Sequence, residues 1–458
     1  MILFRELLEF KTTLAALAVS SFVSATLASL SLGMIVAGAG AGGEAAEQFS
    51  AIGGLQIALV CISVLLCLPV VVRLAIQQDT RKVAFWQVVG ASPRQVQGRY
   101  ITLSTWAVLL GSVLALALSN ILWPSFSDLV INVHFPDVPE LHEDINLWAL
   151  IGGVGASAAV SIISIVFCSR ALVKIEPVRA VRPGPEVVPK TGIIRYLLFF
   201  LGLAGIFAGY IGIGASAPTT DSDVISGLSS AYWGCALGLV LLFGILDRAF
   251  IKPIAAIVSR IFSISSTVSS LLASSSARRR ATLSTALITP LVVGAGAVGS
   301  IFGMVAQVRN ISSTLDASAD IDVSPTSQIA FVFASPVIIA AFTGLSAVLL
   351  TSKSRFRDIQ LLLTLGVEAK SLIISTIIEV AIYLCCAAVI VTAILGGNAL
   401  AYGYAVGNGP IPGAHPVWFG FEAYWLLIAG FIVIAATIVI PSANFIRKSS
   451  SSLIEGQV

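Results

Sequence analysis

Ten stretches, at 14–38, 51–73, 101–122, 147–168, 197–217, 228–248, 282–305, 329–351, 371–396 and 423–446, are almost continuously apolar. Each reaches the roughly 20 residues that a helix needs to cross about 30 Å of hydrocarbon at about 1.5 Å per residue. The pattern predicts an all-α membrane protein with ten transmembrane helices. Only 11% of the 458 residues are charged, 57% are apolar and the mean hydropathy is +0.98, which excludes an ordinary water-soluble globule. No nucleic-acid partner is expected; the bilayer itself is.

The basic residues test this count independently, because Lys and Arg collect in short loops on the cytoplasmic side. With ten spans both termini share one face, and 25 of the 26 basic residues fall on it, Arg309 being the exception. Both termini are therefore expected in the cytoplasm. The first apolar run is longer than a signal-peptide core and lacks an obvious small-residue cleavage site after it, so it reads as a retained anchor. The outer loops carry 13 acidic residues against that one Arg, a field that draws cations and that the cytoplasmic bias of Lys and Arg also leaves behind.

The stretch SRALVKIEPVRAVRPGPEVVPKTGIIR, residues 169–195, places Pro177, Pro183, Pro185 and Pro189 close together. Prolines stop helices, so this is a stiff, extended connector and the best internal boundary. Four spans precede it, two follow, and four more close the chain. The expected domains are 1–182, a first four-span module; 183–265, the connector, two linking spans and the start of a lateral helix; and 266–458, a second four-span module.

The two groups of four carry a matching segment. Placing Gly90 on Gly366 sets RKVAFWQVVGASPRQV over RDIQLLLTLGVEAKSL, each between the second and third span of its group. Internal duplication explains the match and predicts two pseudo-equivalent halves. Apolar residues at 83, 86 and 89 and at 359, 362 and 365 predict a short cytoplasmic helix with one sticky stripe. Such a stripe lies on the membrane surface or docks in a groove of a cytoplasmic partner. Its repetition at equivalent places favours docking to two copies of one partner.

These residues resemble FtsX-like, or MacB-type, permeases of ABC transporters, whose signature runs from Arg and an acid through an apolar stretch to Leu-Gly-Ala-Ser. Here Arg81 leads to VVGAS and Arg357-Asp358 to TLGVE, while IEPVRAVRP, with Glu176, Pro177, Val178, Arg179 and Arg182, is similar to the tail that closes the family's four-span module. The four-two-four order resembles the ten-span members that include bacitracin-resistance permeases. This chain lacks their large extracytoplasmic domain, since the loops after spans 1 and 7 hold only about 12 and 23 residues. It also has Lys82 where the family has the acid, and Gln87 and Leu363 where the family has a base.

The resemblance implies a permease of the bacterial cell (inner) membrane, exporting or extracting a hydrophobic or amphipathic substrate such as a lipid, a peptide or an antimicrobial, with a role in antimicrobial resistance. Two copies of a separate ATPase, with room for an accessory or sensor protein, would supply ATP and Mg. The ATPase-coupling residues would be Arg81, Lys82, Phe85, Trp86, Val89, Gly90, Arg357, Asp358, Leu361, Leu362, Leu365 and Gly366. An ion-coupled secondary transporter and a non-transporting signalling complex are the alternatives.

No G-x-x-x-x-G-K-[ST] occurs and no lysine follows a glycine, so the chain has no phosphate-cradling loop of its own and is not expected to be an enzyme. No resident cofactor or metal is expected. His134, Asp137, Glu140 and His142 share one loop without fixed helical spacing and read as solvated. Gly38-x-Gly40-x-x-Gly43 and Gly294-x-Gly296-x-x-Gly299 match the dinucleotide pattern by letter only and read as helix-packing glycines. Gly205-x-x-x-Gly209 and Gly234-x-x-x-Gly238 have the spacing of close helix crossings. Glu379 is the one carboxylate well inside a predicted span. It is a candidate substrate or coupling group, or a pairing residue near the inner end of span 9. Residues 254–265 and the N-terminal MILFRELLEFK are amphipathic and are expected to lie along the inner leaflet.

Overall fold

The computed structural model describes residues 10–41, 44–134, 146–170, 172–174, 193–218, 222–264, 267–279, 281–314, 326–418 and 421–455. Among them all regular structure is helical. Among the described residues nine helices are long and apolar enough to cross a bilayer, and the count reaches ten if a further pair, bent by 82° at a short break, is taken as one span. The fold class read from hydropathy is thus the one the chain adopts. The N-terminal amphipathic segment up to residue 9, most of the proline-rich connector and the loop of Asp137, Glu140 and His142 lie outside the described residues.

The chain divides into two compact units. The first comprises Met1–Pro189 with Ala330–Ser354, the second Lys190–Ile329 with Arg355–Val458. In the first, α1 (Lys11–Ala41) packs against α2 (Glu44–Val88), α3 (Pro93–His134) and α4 (Leu147–Ser169). With lipid tails as apolar as leucine, such helices hold together by close approach and interhelical hydrogen bonds. Gly111 lets α3 reach α1, for a Cβ there would stand 2.5 Å from the Ala18 carbonyl oxygen; Gly153 does the same for α4, 2.5 Å from that of Ala28. Ser157 donates to Ser24 at 3.1 Å and Ser21 to the Val108 carbonyl at 3.3 Å. Gly153→Leu is expected to force α4 off α1 and lower stability by about 1–3 kcal/mol, read as a drop in Tm of the detergent-solubilised protein.

The second unit holds α5 (Ile193–Gly214), α6 (Ser222–Ile245), α7 (Asp247–Ser263), α8 (Val268–Arg279), α9 (Ala281–Thr314), α11 (Ala369–Asn408) and α12 (Glu422–Glu455). The intervening α10 (Thr326–Thr364) gives Ala330–Ser354 to the first unit and its end, from Arg355, to the second. Ser346 and Ser20 are hydrogen-bonded at 3.1 Å, and Gln78 donates to the Leu350 carbonyl. In the second unit α11 packs on α5, α6, α8, α9 and α12. Tyr232 and Tyr402 meet edge to face at 5.0 Å, and Tyr402 donates to the Leu228 carbonyl at 2.7 Å.

Two sequence expectations need adjustment. The sixth span breaks at Leu246, where α6 and α7 meet at 82°, so the predicted lateral helix begins seven residues before 254. The GxxxG pairs of α5 and α6 do not make close crossings: a Cβ on Gly205, Gly209 or Gly234 meets nothing within 4 Å, and one on Gly238 meets only the Ile206 side chain. Helices α9 and α10 run on through Pro290 and Pro336. Gly296 and Gly299 do pack against neighbouring helices, facing Val240 and Leu395.

Candidate functional site: two matching elbows

The repeated segments form the last turns of two long helices and the elbows after them. The expectation of separate short helices gives way to a continuation of the spans. No Gly or Pro stands between Pro69 and Gly90, or between Gly344 and Gly366, so nothing stops either helix earlier. With 45 residues, α2 is about 68 Å long, more than twice the roughly 30 Å of hydrocarbon, and part of it must stand clear of the membrane.

Both elbows use one device. Gly90 (φ 107°) and Gly366 (φ 83°) take the left-handed conformation that glycine tolerates best. Gly90 N–H donates to the Gln87 carbonyl at 3.1 Å and Ala91 N–H to that of Trp86 at 3.0 Å. Gly366 donates to Leu363 at 3.0 Å and Val367 to Leu362 at 3.1 Å. This paired pattern is the Schellman ending of a helix, which satisfies carbonyls that the last turn leaves without partners. The chain then turns into α3, where Ser92 and Gln95 cap each other reciprocally, at 2.9 and 3.3 Å, ahead of Pro93 at the first helical position. In the second copy Glu368 occupies the cap position without a side-chain bond.

The apolar stripe expected at 83, 86 and 89 divides between two faces. Val83 is buried, and Trp86 turns inward to meet the Phe10 ring edge to face at 5.5 Å. The outward face instead carries Phe85 (61% exposed), Val88 and Val89 (73%). In the second copy Leu361 (57%) and Leu365 (79%) point outward while Leu362 is half-buried. Under the Gly90–Gly366 register Phe85 matches Leu361 and Val89 matches Leu365, so each elbow offers solvent an apolar pair four residues apart. Arg357 and Asp358 are exposed, and Lys82 is exposed as well. The Arg81 side chain lies outside the described residues.

Above each elbow sits a buried polar anchor, and the two differ in charge. Asp79 accepts from Thr13 of α1 at 2.8 Å and from Lys82 at 3.0 Å, and the Lys82 ammonium lies 4.5 Å from the Phe10 ring centre. Arg355, which the register places opposite Asp79, forms a two-pronged pair with Glu379 at 3.1 and 3.4 Å, and Tyr383 donates to the same carboxylate at 2.6 Å. Arg355 and Glu379 are both 6% exposed. The geometry is that of the pairing residue: Glu379 ties the end of α10 to α11. Asp79, Thr13, Phe10, Arg355 and Tyr383 were absent from the sequence-based site. The alignment held one signal for them, a charged residue 11 positions before the elbow glycine in both copies.

Residues 51–177 match the family model described as FtsX-like permease C-terminal. The match runs from α2 past α4 and takes in the first elbow. No curated protein matches the chain. The protein is thus a multi-pass, all-α membrane protein whose first unit contains a region that matches the FtsX-like permease model.

Proposed function

We propose that the chain is the membrane subunit of an ABC transporter, and that the two elbows are where copies of a separate ATPase grip it. The carrying observation is the recurrence of one elbow, with the same glycine turn and the same exposed pair, at equivalent places in the chain. An exposed apolar pair on a helix end is a docking feature when a partner groove covers it. The Schellman turn makes each elbow rigid, and the anchors at Asp79 and Arg355 tie it to neighbouring helices. A push from an ATPase would therefore reach the spans rather than be absorbed locally. ATP and Mg belong to the partner. The substrate in this reading is a hydrophobic or amphipathic molecule exported or extracted from a bacterial cell membrane, both termini of the permease being cytoplasmic, as the distribution of basic residues indicates.

The test is the intact mass of the full-length chain purified gently from its own membrane. One chain with two nucleotide-hydrolysing subunits is expected. A chain that carries none, and that moves its substrate on an ion gradient without ATP, would overturn the reading.

A further inference from the structure

Between α5, α6, α7 and α11 runs an apolar groove of about 300 Å³, lined by Phe199, Phe207, Phe243, Phe250, Ile394 and Gly397 among others. It starts at the bend between α6 and α7, where Phe199 packs on Phe250 at 5.6 Å, and follows α5 as far as Tyr210. Those 12 residues of helix span about 16 Å, close to half of the roughly 30 Å hydrocarbon layer. The groove therefore has the length of one leaflet. Its walls offer almost nothing for water to bond to, so water is a poor filling. Helix α5 is nearly bare, with 6% of its most apolar window buried, so the groove opens to the bilayer.

Helix α7 marks the membrane interface at one end of this groove. Its residues divide three ways. Ile251, Ala255 and Val258 are buried, Phe250, Ile257 and Ile261 are exposed and apolar, and Arg248, Lys252 and Arg260 lie on a third side. A helix with an exposed apolar side and a basic side, set at 82° to the preceding span, lies in the membrane interface with its cations at headgroup level. On α5, exposed Arg195 stands one turn before Phe199 and on the same helix face.

We infer that this groove holds one acyl chain of an anionic phospholipid whose phosphate is drawn to Arg195. The lipid wedges α5 and α7 against α11 and is distinct from any transported substrate, so the inference stands independently of the ATPase.

The test uses full-length protein in lipid nanodiscs containing either phosphatidylglycerol or phosphatidylcholine with a photoactivatable group in the acyl chain, followed by peptide mapping. Phosphatidylglycerol is expected to label α5, α6, α7 and α11 more strongly than phosphatidylcholine. Arg195→Glu, at an exposed position, is expected to lower that labelling about fivefold or more. Gly397 lines the groove and a Cβ there meets nothing within 4 Å, so Gly397→Phe is expected to abolish groove labelling while leaving unchanged that of the exposed α3 face at Leu110, Val113 and Leu114. Equal labelling of groove and α3 face, equal labelling by the two lipids, or protein crosslinks in place of lipid at the groove would overturn the inference.

Discussion

If the elbows are the docking points proposed above, Val89→Asp combined with Leu365→Asp is expected to uncouple the chain from the ATPase while leaving the fold intact. Both side chains are among the most exposed apolar groups of their elbows, so the substitutions remove no internal packing and change stability little. A buried apolar anchor at a protein interface is worth about 2 kcal/mol or more, so each elbow should lose about thirtyfold or more in ATPase affinity. The measurements are ATPase copies per chain and substrate-stimulated hydrolysis, read beside an unchanged Tm. Trp86→Asp is the poorer probe, because it breaks the contact with Phe10 and mixes loss of docking with loss of structure. If the double variant binds and stimulates the ATPase normally, the elbows are not the docking points.

Glu379→Ala is expected to destabilise the second unit strongly. It leaves the Arg355 guanidinium buried without its carboxylate, and breaking a buried pair in this way costs about 3–5 kcal/mol. Replacing both members, Arg355→Met with Glu379→Leu, removes the stranded charge and is expected to restore much of the stability. Thermal unfolding of the single and double variants in detergent measures the difference. The outcome also decides between two roles for the carboxylate. A Glu379→Gln protein with normal stability and no transport would mean that it acts on substrate or coupling ion instead of holding α10 to α11.

The spans were legible because hydropathy at membrane length depends on composition alone, and loss of backbone hydrogen bonds in lipid then leaves the helix as the form such runs take. The elbows were legible because glycine at a left-handed position leaves a mark in sequence. Which face of each elbow points outward was not. That choice is made by Phe10 and Thr13, some 70 residues away in sequence and reached only through the packing of α1 on α2. Arg355 read as one more loop cation, because its partner lies on the next helix and the pairing appears only when α10 and α11 come together. The break at Leu246 follows Gly244 by two residues, but one glycine among so many in the spans does not single it out; the change from a uniformly apolar helix to a three-sided one fixes its place.

The division of α10 between the units bears on how the protein is made. The first unit takes in Ala330–Ser354, which leaves the ribosome only after the whole of Lys190–Ile329. Until then Ser20 and Gln78 wait for the groups they bond in the finished protein. A nascent chain paused between the units would hold an unfinished first bundle in the membrane, and its maturation waits on a late-arriving helix.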